Sequence, residues 1–418
     1  MINRMCIYIT HDRNEPVRHF SVKLAEALQR RRIVASTINY KGHIFSFGIY
    51  AIPVRRYAPD LTCSYIYLAS YNASDFMWDV LQTPHLFMLV DPPFFVPNLL
   101  KSSHLVISTV DRGDEAWIRS QGFDRTFFFP HAVEREMAPD PDPHAERPYE
   151  VVMIGSCTDY KGIRKEWQEK LSKPLGKMLD DGIDLFFASD TMSVYQALMT
   201  VWKESLLEKD KSEIEMLKQC YYYIDRYIRG YDRVQLIRSI KNAKVHIFCG
   251  SFDWDKHPFF KMGWSDYLGS QPNVVLHPHI PYYEVPAIMR QSKILLNSMP
   301  FFRDGSHERV FLALACGCLP VNSESKYLRE EFRDGDEIMF YQSYQRDAVS
   351  PMIDALLADE KRRAEGAERG RQKVMQRHTW DNRVDILIKE LPPLIKMIKE
   401  ADDHSSLKDG GRGGGSAC

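Results

Sequence analysis

The feature that most narrows the folds open to this chain is a recurring unit: a short uninterrupted apolar run, a polar turn, then a helical stretch. In the first third the runs are Cys6–Thr10, Val34–Ile38, Ser64–Leu68, His85–Asp91 and His104–Ser108. Between the first two, Phe20, Val22, Leu24, Ala25 and Leu28 recur at helical spacing within Val17–Gln29. Strands that alternate apolar and polar residues wet one face. Continuous apolar strands separated by helices are covered on both faces, which predicts a parallel α/β sheet.

The pattern breaks at "EMAPDPDPHAERPYE", residues 136–150, where prolines and acidic residues leave little to bury. It then restarts with Val151–Gly155, Ile183–Phe187, Val245–Cys249, Val274–His277, Ile294–Ser298, Leu319–Val321 and Ile338–Tyr341. The expected organisation is a doubly wound domain over 1–135, a linker over 136–150, and a second doubly wound domain over 151–378. Residues 190–240 read as a helical insertion in that second domain. An amphipathic helix follows over 379–400, and the Gly/Ser-rich residues 401–418 have the composition of a disordered tail.

Charge and cysteine usage exclude several classes. A chain of 418 residues with a formal net charge of −1 and a pI near 6.9 has no field that favours nucleic acid. Met1–Thr10 is too short and too interrupted for a signal sequence, and no window approaches the roughly 18 apolar residues of a span. A cytoplasmic location is therefore expected, with peripheral membrane contact left open. The eight cysteines show no paired zinc spacing, so no metal is expected. Cys316 and Cys318, around Gly317, read as buried small residues.

In open parallel sheets ligands gather at the carboxyl ends of the strands, which singles out four loops. Gly155 and Ser156 follow the strand that opens the second domain, where a small residue lets backbone N–H groups approach a phosphate and a helix over 161–171 adds its dipole. Asp304, Gly305, Ser306 and His307 lead into an apolar helix that begins Glu308-Arg309, with Asp304 or Ser306 as the expected N-cap; uncapped N–H groups beside an arginine suit an anion. His277, His279, Tyr282 and Tyr283 lie between a strand and a helix, where they could contact a base and ribose or simply satisfy a loop. In the first domain His11 and Asp12 follow the first strand, Asp91 a later one, and His131 follows "FFFP"; such groups could position an acceptor hydroxyl or act as a base. Arg229 and Arg233 stand one helical turn apart, and a solvated face is their plain alternative.

From Ile294 to about Ile388 the chain resembles the CgeB-like glycosyltransferases, a branch of the GT-B nucleotide-sugar enzymes. The resemblance rests on the order of "ILLNSMPF", "HERVFLALACGCLPVNSES", "LREEFRDGDEIMFY", "ALLADEKRRAEGAERGR" and "RHTWDNRV". It implies two Rossmann-like domains facing a cleft, a C-terminal helix that crosses back to the first, and no cofactor beyond the nucleotide-diphosphate sugar donor. The donor diphosphate would lie near Gly155-Ser156 and the start of the 306–317 helix, with Glu308 and Arg309 toward ribose or phosphate. Transfer would be metal-independent, to a glycan, lipid-linked or protein acceptor entering from the first domain. Many GT-B enzymes carry two glutamates eight residues apart, the second binding ribose on this helix; Asp304 and Leu312 hold those places here, and Glu308, one turn before Leu312 on the same face, could serve instead. That departure keeps two alternatives open: a nucleotide-sugar epimerase, and a catalytically silent partner-binding module.

Overall fold

The computed structural model describes residues 2–10, 15–40, 47–65, 75–137, 146–205, 213–248 and 261–410. The chain divides into two compact units, the first made of residues 1–130 with 379–418 and the second of residues 131–378.

The first unit is a six-stranded parallel sheet in the order β2-β1-β3-β4-β5-β6. Its strands are β1 (Arg4–Thr10), β2 (Val34–Tyr40), β3 (Leu61–Ser64), β4 (His85–Leu89), β5 (Leu105–Thr109) and β6 (Thr126–Phe128). Helices α1 (Glu15–Arg30), α2 (Phe47–Tyr57), α3 (Met77–Val80) and α4 (Arg112–Ser120) connect them. Every residue of β3, β4 and β5 is buried, as strands covered on both faces must be. The expected run Ser64–Leu68 contributes only its first residue to β3, and Ile66–Leu68 lie outside the described residues.

His85 shows how this sheet tolerates a buried imidazole. Its two ring nitrogens lie 2.8 Å from the Thr62 hydroxyl and 3.0 Å from the Ser64 hydroxyl, and its ring stacks on Trp78 at 4.2 Å. Both polar edges are satisfied without a charge.

The second unit repeats the architecture, with strand order β12-β11-β10-β7-β8-β9, all parallel. Its strands are β7 (Tyr149–Ile154), β8 (Val245–Phe248), β9 (Val274–His277), β10 (Ser292–Asn297), β11 (Leu319–Ser323) and β12 (Met339–Tyr341). Among the described residues four helices fill the β7-to-β8 connection: α5 (Tyr160–Lys170), α6 (Lys173–Phe187), α7 (Val194–Glu204) and α8 (Glu213–Ser239). Then come α9 (Trp264–Leu268), α10 (Val285–Arg290), α11 (Glu308–Ala315), α12 (Lys326–Glu331), α13 (Val349–Ala358) and α14 (Glu360–Arg377).

The run Ile183–Phe187, expected as a strand, is the end of α6. Its apolar residues continue a helical stripe in which Leu175, Met178, Leu179, Gly182, Ile183 and Phe186 are buried. A short apolar run carries no period of its own, and the preceding turns decide it. The helical region therefore starts at Tyr160, well before residue 190.

The last helix, α15 (Trp380–Gly410), belongs with the first unit. Trp380, Val384, Leu387, Leu391, Ile395 and Ile398 form its buried stripe, and Arg30 of α1 holds Asp381 through two contacts of 2.9 Å. The helix contains Pro392 and Pro393 and runs ten residues past the expected end near Glu400, as far as the first glycine of the tail. Nothing in "ADDHSSLK" forbids helix, and Gly410 opens the glycine run that does.

Candidate functional site

In the second unit β7 pairs directly with β10, so the strand order reverses between them. At such a switch point the loops leaving adjacent strands diverge and open a crevice at their carboxyl ends. The loop after β7 is Gly155-Ser156, and the loop after β10 runs from Ser298 to His307 into α11.

The N-cap of α11 is His307, with extended backbone (φ −116°, ψ 142°) and no side-chain cap; neither Asp304 nor Ser306 takes that place. Asp304 faces Lys326 at 3.7 Å, and the Ser306 hydroxyl is buried with no hydrogen-bond partner among the described residues. The loop is instead held by its carbonyls. That of Arg303 accepts from the Lys326 N–H at 2.9 Å, that of Gly305 from the Ser325 hydroxyl at 2.7 Å, and that of Ser306 lies 2.8 Å from Nδ1 of His131. With these acceptors pinned to other residues and no side-chain cap, the N–H groups of Glu308 and Arg309 stand at the positive end of the helix dipole, while that of Val310 donates to the His307 carbonyl at 3.1 Å.

Two arginines reach the facing loop, and a third stands one helical turn from the second. Arg309, in the first turn of α11, donates to the Ile154 carbonyl and lies along the His307 ring, with Nη2 3.0 Å from Nε2 and Nε 3.3 Å from Nδ1. Arg233 of α8 donates to the Ser156 carbonyl at 3.0 Å. Arg229, one turn earlier, is fixed by Asp225 at 2.8 Å and lies 3.6 Å over the Phe301 ring. Burial, then the charges of Arg309 and Arg229, push the Arg233 guanidinium down to about 9. Burial is the larger cause, and the repulsion from Arg309 and Arg229 that adds to it suits an anion among these side chains. Gly155 makes room: a Cβ there would stand 3.1 Å from Nη1 of Arg309. Trp264 closes the loop by donating to the Gly155 carbonyl at 3.1 Å.

Glu308 is 7% exposed, and its carboxylate sits 2.5 Å from Nδ1 of His307 and 3.9 Å from Nε2 of His131. Burial works to raise it, but His307, His131 and Arg309 hold it down at about 2. The short Nδ1 contact puts the proton of a neutral His307 on Nδ1, leaving Nε2 to accept from Arg309; burial and the Arg309 charge keep that ring neutral, with a pKa near 3. Glu308 thus orients His307, and His307 orients Arg309. Leu312, where related helices carry a second glutamate, is 3% exposed and packs in the core.

The remaining expected residues fall elsewhere. Tyr282 is near enough for the Glu308 charge to add to the burial that raises its hydroxyl. His277 belongs to a ring cluster on β7, β8 and β9, stacked on Phe248 at 4.3 Å and 2.9 Å from His246. The N-terminus of α5, expected to add its dipole, is already occupied by Asp159, which accepts from the Gly162, Lys261 and Met262 N–H groups. Asp91 lies in an exposed turn after β4 of the first unit, and His11 and Asp12 lie outside the described residues. His131, expected among the first-domain residues, falls in the second unit beside Ser306 and Glu308.

Ser325, Arg303 and Trp264 escaped the sequence reading. Ser325 is the N-cap of α12, and Arg303 is buried with Nη2 on the Ser189 carbonyl at 2.9 Å. A cap serine and a buried arginine look ordinary in sequence; only the fold turns them onto this loop. Cys316 and Cys318 are buried, and burial pushes the Cys316 thiol up to about 12, which makes it inert. Among the described residues no group of three or more His, Cys, Asp or Glu side chains could hold a metal ion, and no helix is long and apolar enough to cross a membrane.

Residues 233–389 match the family model described as glycosyl transferase-like. No curated protein matches the sequence. Among solved structures the chain is similar to HepE of Anabaena in complex with UDP and glucose, with a TM-score of 0.56 and 10% identity over 93% of this chain and 99% of that one. It is similar to sucrose-phosphate synthase of Thermosynechococcus elongatus, with a TM-score of 0.55 and 12% identity over 93% and 99%. It is also similar to AviGT4, a glycosyltransferase involved in avilamycin A biosynthesis, with a TM-score of 0.54 and 8% identity over 94% and 98%. At such identities the likeness speaks for the fold. With its two parallel six-stranded sheets, the chain has the GT-B fold.

Proposed function

We propose that this protein is a CgeB-like GT-B glycosyltransferase that transfers a sugar, a hexose in the first instance, from a nucleoside-diphosphate sugar to a glycan, lipid-linked or protein acceptor. The observation that carries the reading is the meeting of Arg309 and Arg233 at the loop Ile154–Ser156, with the Arg229 charge acting on Arg233, beside a helix without a side-chain cap whose loop carbonyls are pinned aside. Transfer breaks the bond between the anomeric carbon and the diphosphate oxygen while the acceptor oxygen takes the sugar. The departing diphosphate gathers negative charge, which preorganised guanidinium and backbone N–H donors meet without reorganising. In this reading no metal is needed for that charge.

UDP is the base of first choice, because the HepE structure of the same fold holds it. Glu308 serves in this reading chiefly as the anchor of His307 and Arg309, and Tyr282 borders the same pocket. Asp91, with His11 and Asp12, supplies the acceptor-side groups. The test is a thermal-shift and turnover screen of the full chain against UDP, GDP, ADP and their sugar conjugates. A ligand at 100 times Kd adds roughly 2.7 kcal/mol of stability. One diphosphate raising the melting temperature, with slow hydrolysis of its sugar conjugate, supports transfer. A folded protein that responds to none of them refutes it.

A further inference from the structure

His131 stands three residues after the end of β6 but falls in the second unit, and it is 7% exposed. Its Nδ1 lies 2.8 Å from the Ser306 carbonyl oxygen. A carbonyl can only accept, so Nδ1 must carry a proton. The other edge of the ring turns Nε2 toward the Glu308 carboxylate at 3.9 Å. One face lies nearly parallel to His307, with centroids 5.7 Å apart, and Phe302 packs at 6.4 Å. Beyond these neighbours stand Arg309, whose charge acts on Glu308, and Tyr282, on which the charges of Glu308, Glu134 and Arg309 act.

We infer that His131 is a positioning residue of the donor cradle: its Nδ1–H turns the Ser306 carbonyl away from the bound diphosphate, so that the first turn of α11 presents N–H groups alone. The inference rests on the donor reading above and adds to it a residue that touches no substrate. Ser306 is the last residue before the N-cap, and its peptide is the hinge on which the first turn is hung. Released from His131, that carbonyl can swing toward the anion, and a dipole of the wrong sign then faces the phosphate. Arg303 and Gly305 are held by α12, but nothing besides His131 is seen to hold the Ser306 carbonyl among the described residues. The proton on Nδ1 is also the less common tautomer of a neutral histidine, which makes it a signature that can be read without ligand.

Two measurements on the full chain test this. The first is a ¹⁵N spectrum of histidine-labelled protein without ligand, with the His131 signals assigned by their loss in His131→Asn. The expected result is a ring that carries a proton on Nδ1; a ring protonated on Nε2 alone overturns the inference. The second is UDP affinity by titration in His131→Asn and His131→Ala, each confirmed folded by circular dichroism. Asparagine can place an N–H where Nδ1 stood, so its Kd should stay within about threefold of wild type, while alanine should raise it roughly tenfold or more. A merely structural histidine would lower the melting temperature of both variants without separating their affinities. Equal losses in both, or wild-type affinity in His131→Ala, overturn the inference. A wild-type protein that binds none of UDP, GDP and ADP overturns the donor reading itself, and leaves no cradle to position even where the tautomer is as expected.

Discussion

The Cβ that Gly155 lacks would stand 3.1 Å from Nη1 of Arg309, the guanidinium that bridges from α11 back to the Ile154 carbonyl. The two residues belong to different strand-loop-helix units and meet only because β7 and β10 are neighbours. Gly155→Ala should therefore strain the loop, whose φ of +157° favours glycine, and push Arg309 aside. Loss of one charge-assisted contact of about 1.5–3 kcal/mol corresponds to a UDP affinity weakened roughly tenfold or more. Titration calorimetry on the folded variant checks this, and an unchanged Kd would mean that Arg309 does not serve the ligand from that position.

The Ser306 hydroxyl is fully buried and has no hydrogen-bond partner among the described residues. Removing a polar group that makes no hydrogen bond is neutral or stabilising, so Ser306→Ala should lie within about 0.5 kcal/mol of wild type or above it. Its UDP affinity should be unchanged, since the backbone rather than the hydroxyl serves the cradle. Urea denaturation and titration of the same sample measure both quantities.

Arg309→Lys separates charge from geometry. A lysine keeps the positive charge but cannot bond the Ile154 carbonyl and lie along the His307 ring at once. The variant should bind UDP almost as poorly as Arg309→Ala, and recovery of most of the affinity would show that charge alone is needed.

Much of this fold was legible because each strand is an uninterrupted apolar run, and such runs need two covered faces wherever they occur. Ile183–Phe187 misled because a short run has no period of its own: its helical character lies in Leu175, Met178 and Leu179 upstream. The arginines at 229, 233 and 309 could be singled out, but the meeting of the last two at one loop follows from strand order, which no local pattern encodes. His131 is the sharpest case. Its place after "FFFP" points to the end of a first-domain strand, whereas its bond partner lies 175 residues away. The N-cap of α11 was misplaced for a related reason, since Asp304 and Ser306 have the right chemistry but are drawn into other contacts or buried.

His85 sets a pH dependence in the first unit. Burial holds its folded pKa near 3, against about 6.5 when unfolded. Between those values the unfolded chain binds the extra proton, so the stability this group contributes is complete above pH 6.5 and is lost as the pH falls. The expected slope is about 1.4 kcal/mol per pH unit, or roughly 2 kcal/mol lost by pH 5. His307, held neutral in the second unit by burial and Arg309, changes with the same sign. Hydrogen exchange of β3 and β4 at pH 7 and pH 5 should show this loss in wild type and a smaller one in His85→Gln, which cannot titrate; equal losses in the two proteins would refute the assignment.

The central claim is that a nucleoside diphosphate binds at the β7–β10 switch point through Arg309. Titration of UDP into the full-length protein, its Arg309→Ala variant and the His85→Gln control tests it most directly. The account predicts saturable binding by wild type and the control, with Kd raised at least about tenfold in Arg309→Ala, the loss of roughly 1.4 kcal/mol or more. UDP bound as tightly by folded Arg309→Ala as by wild type would contradict it.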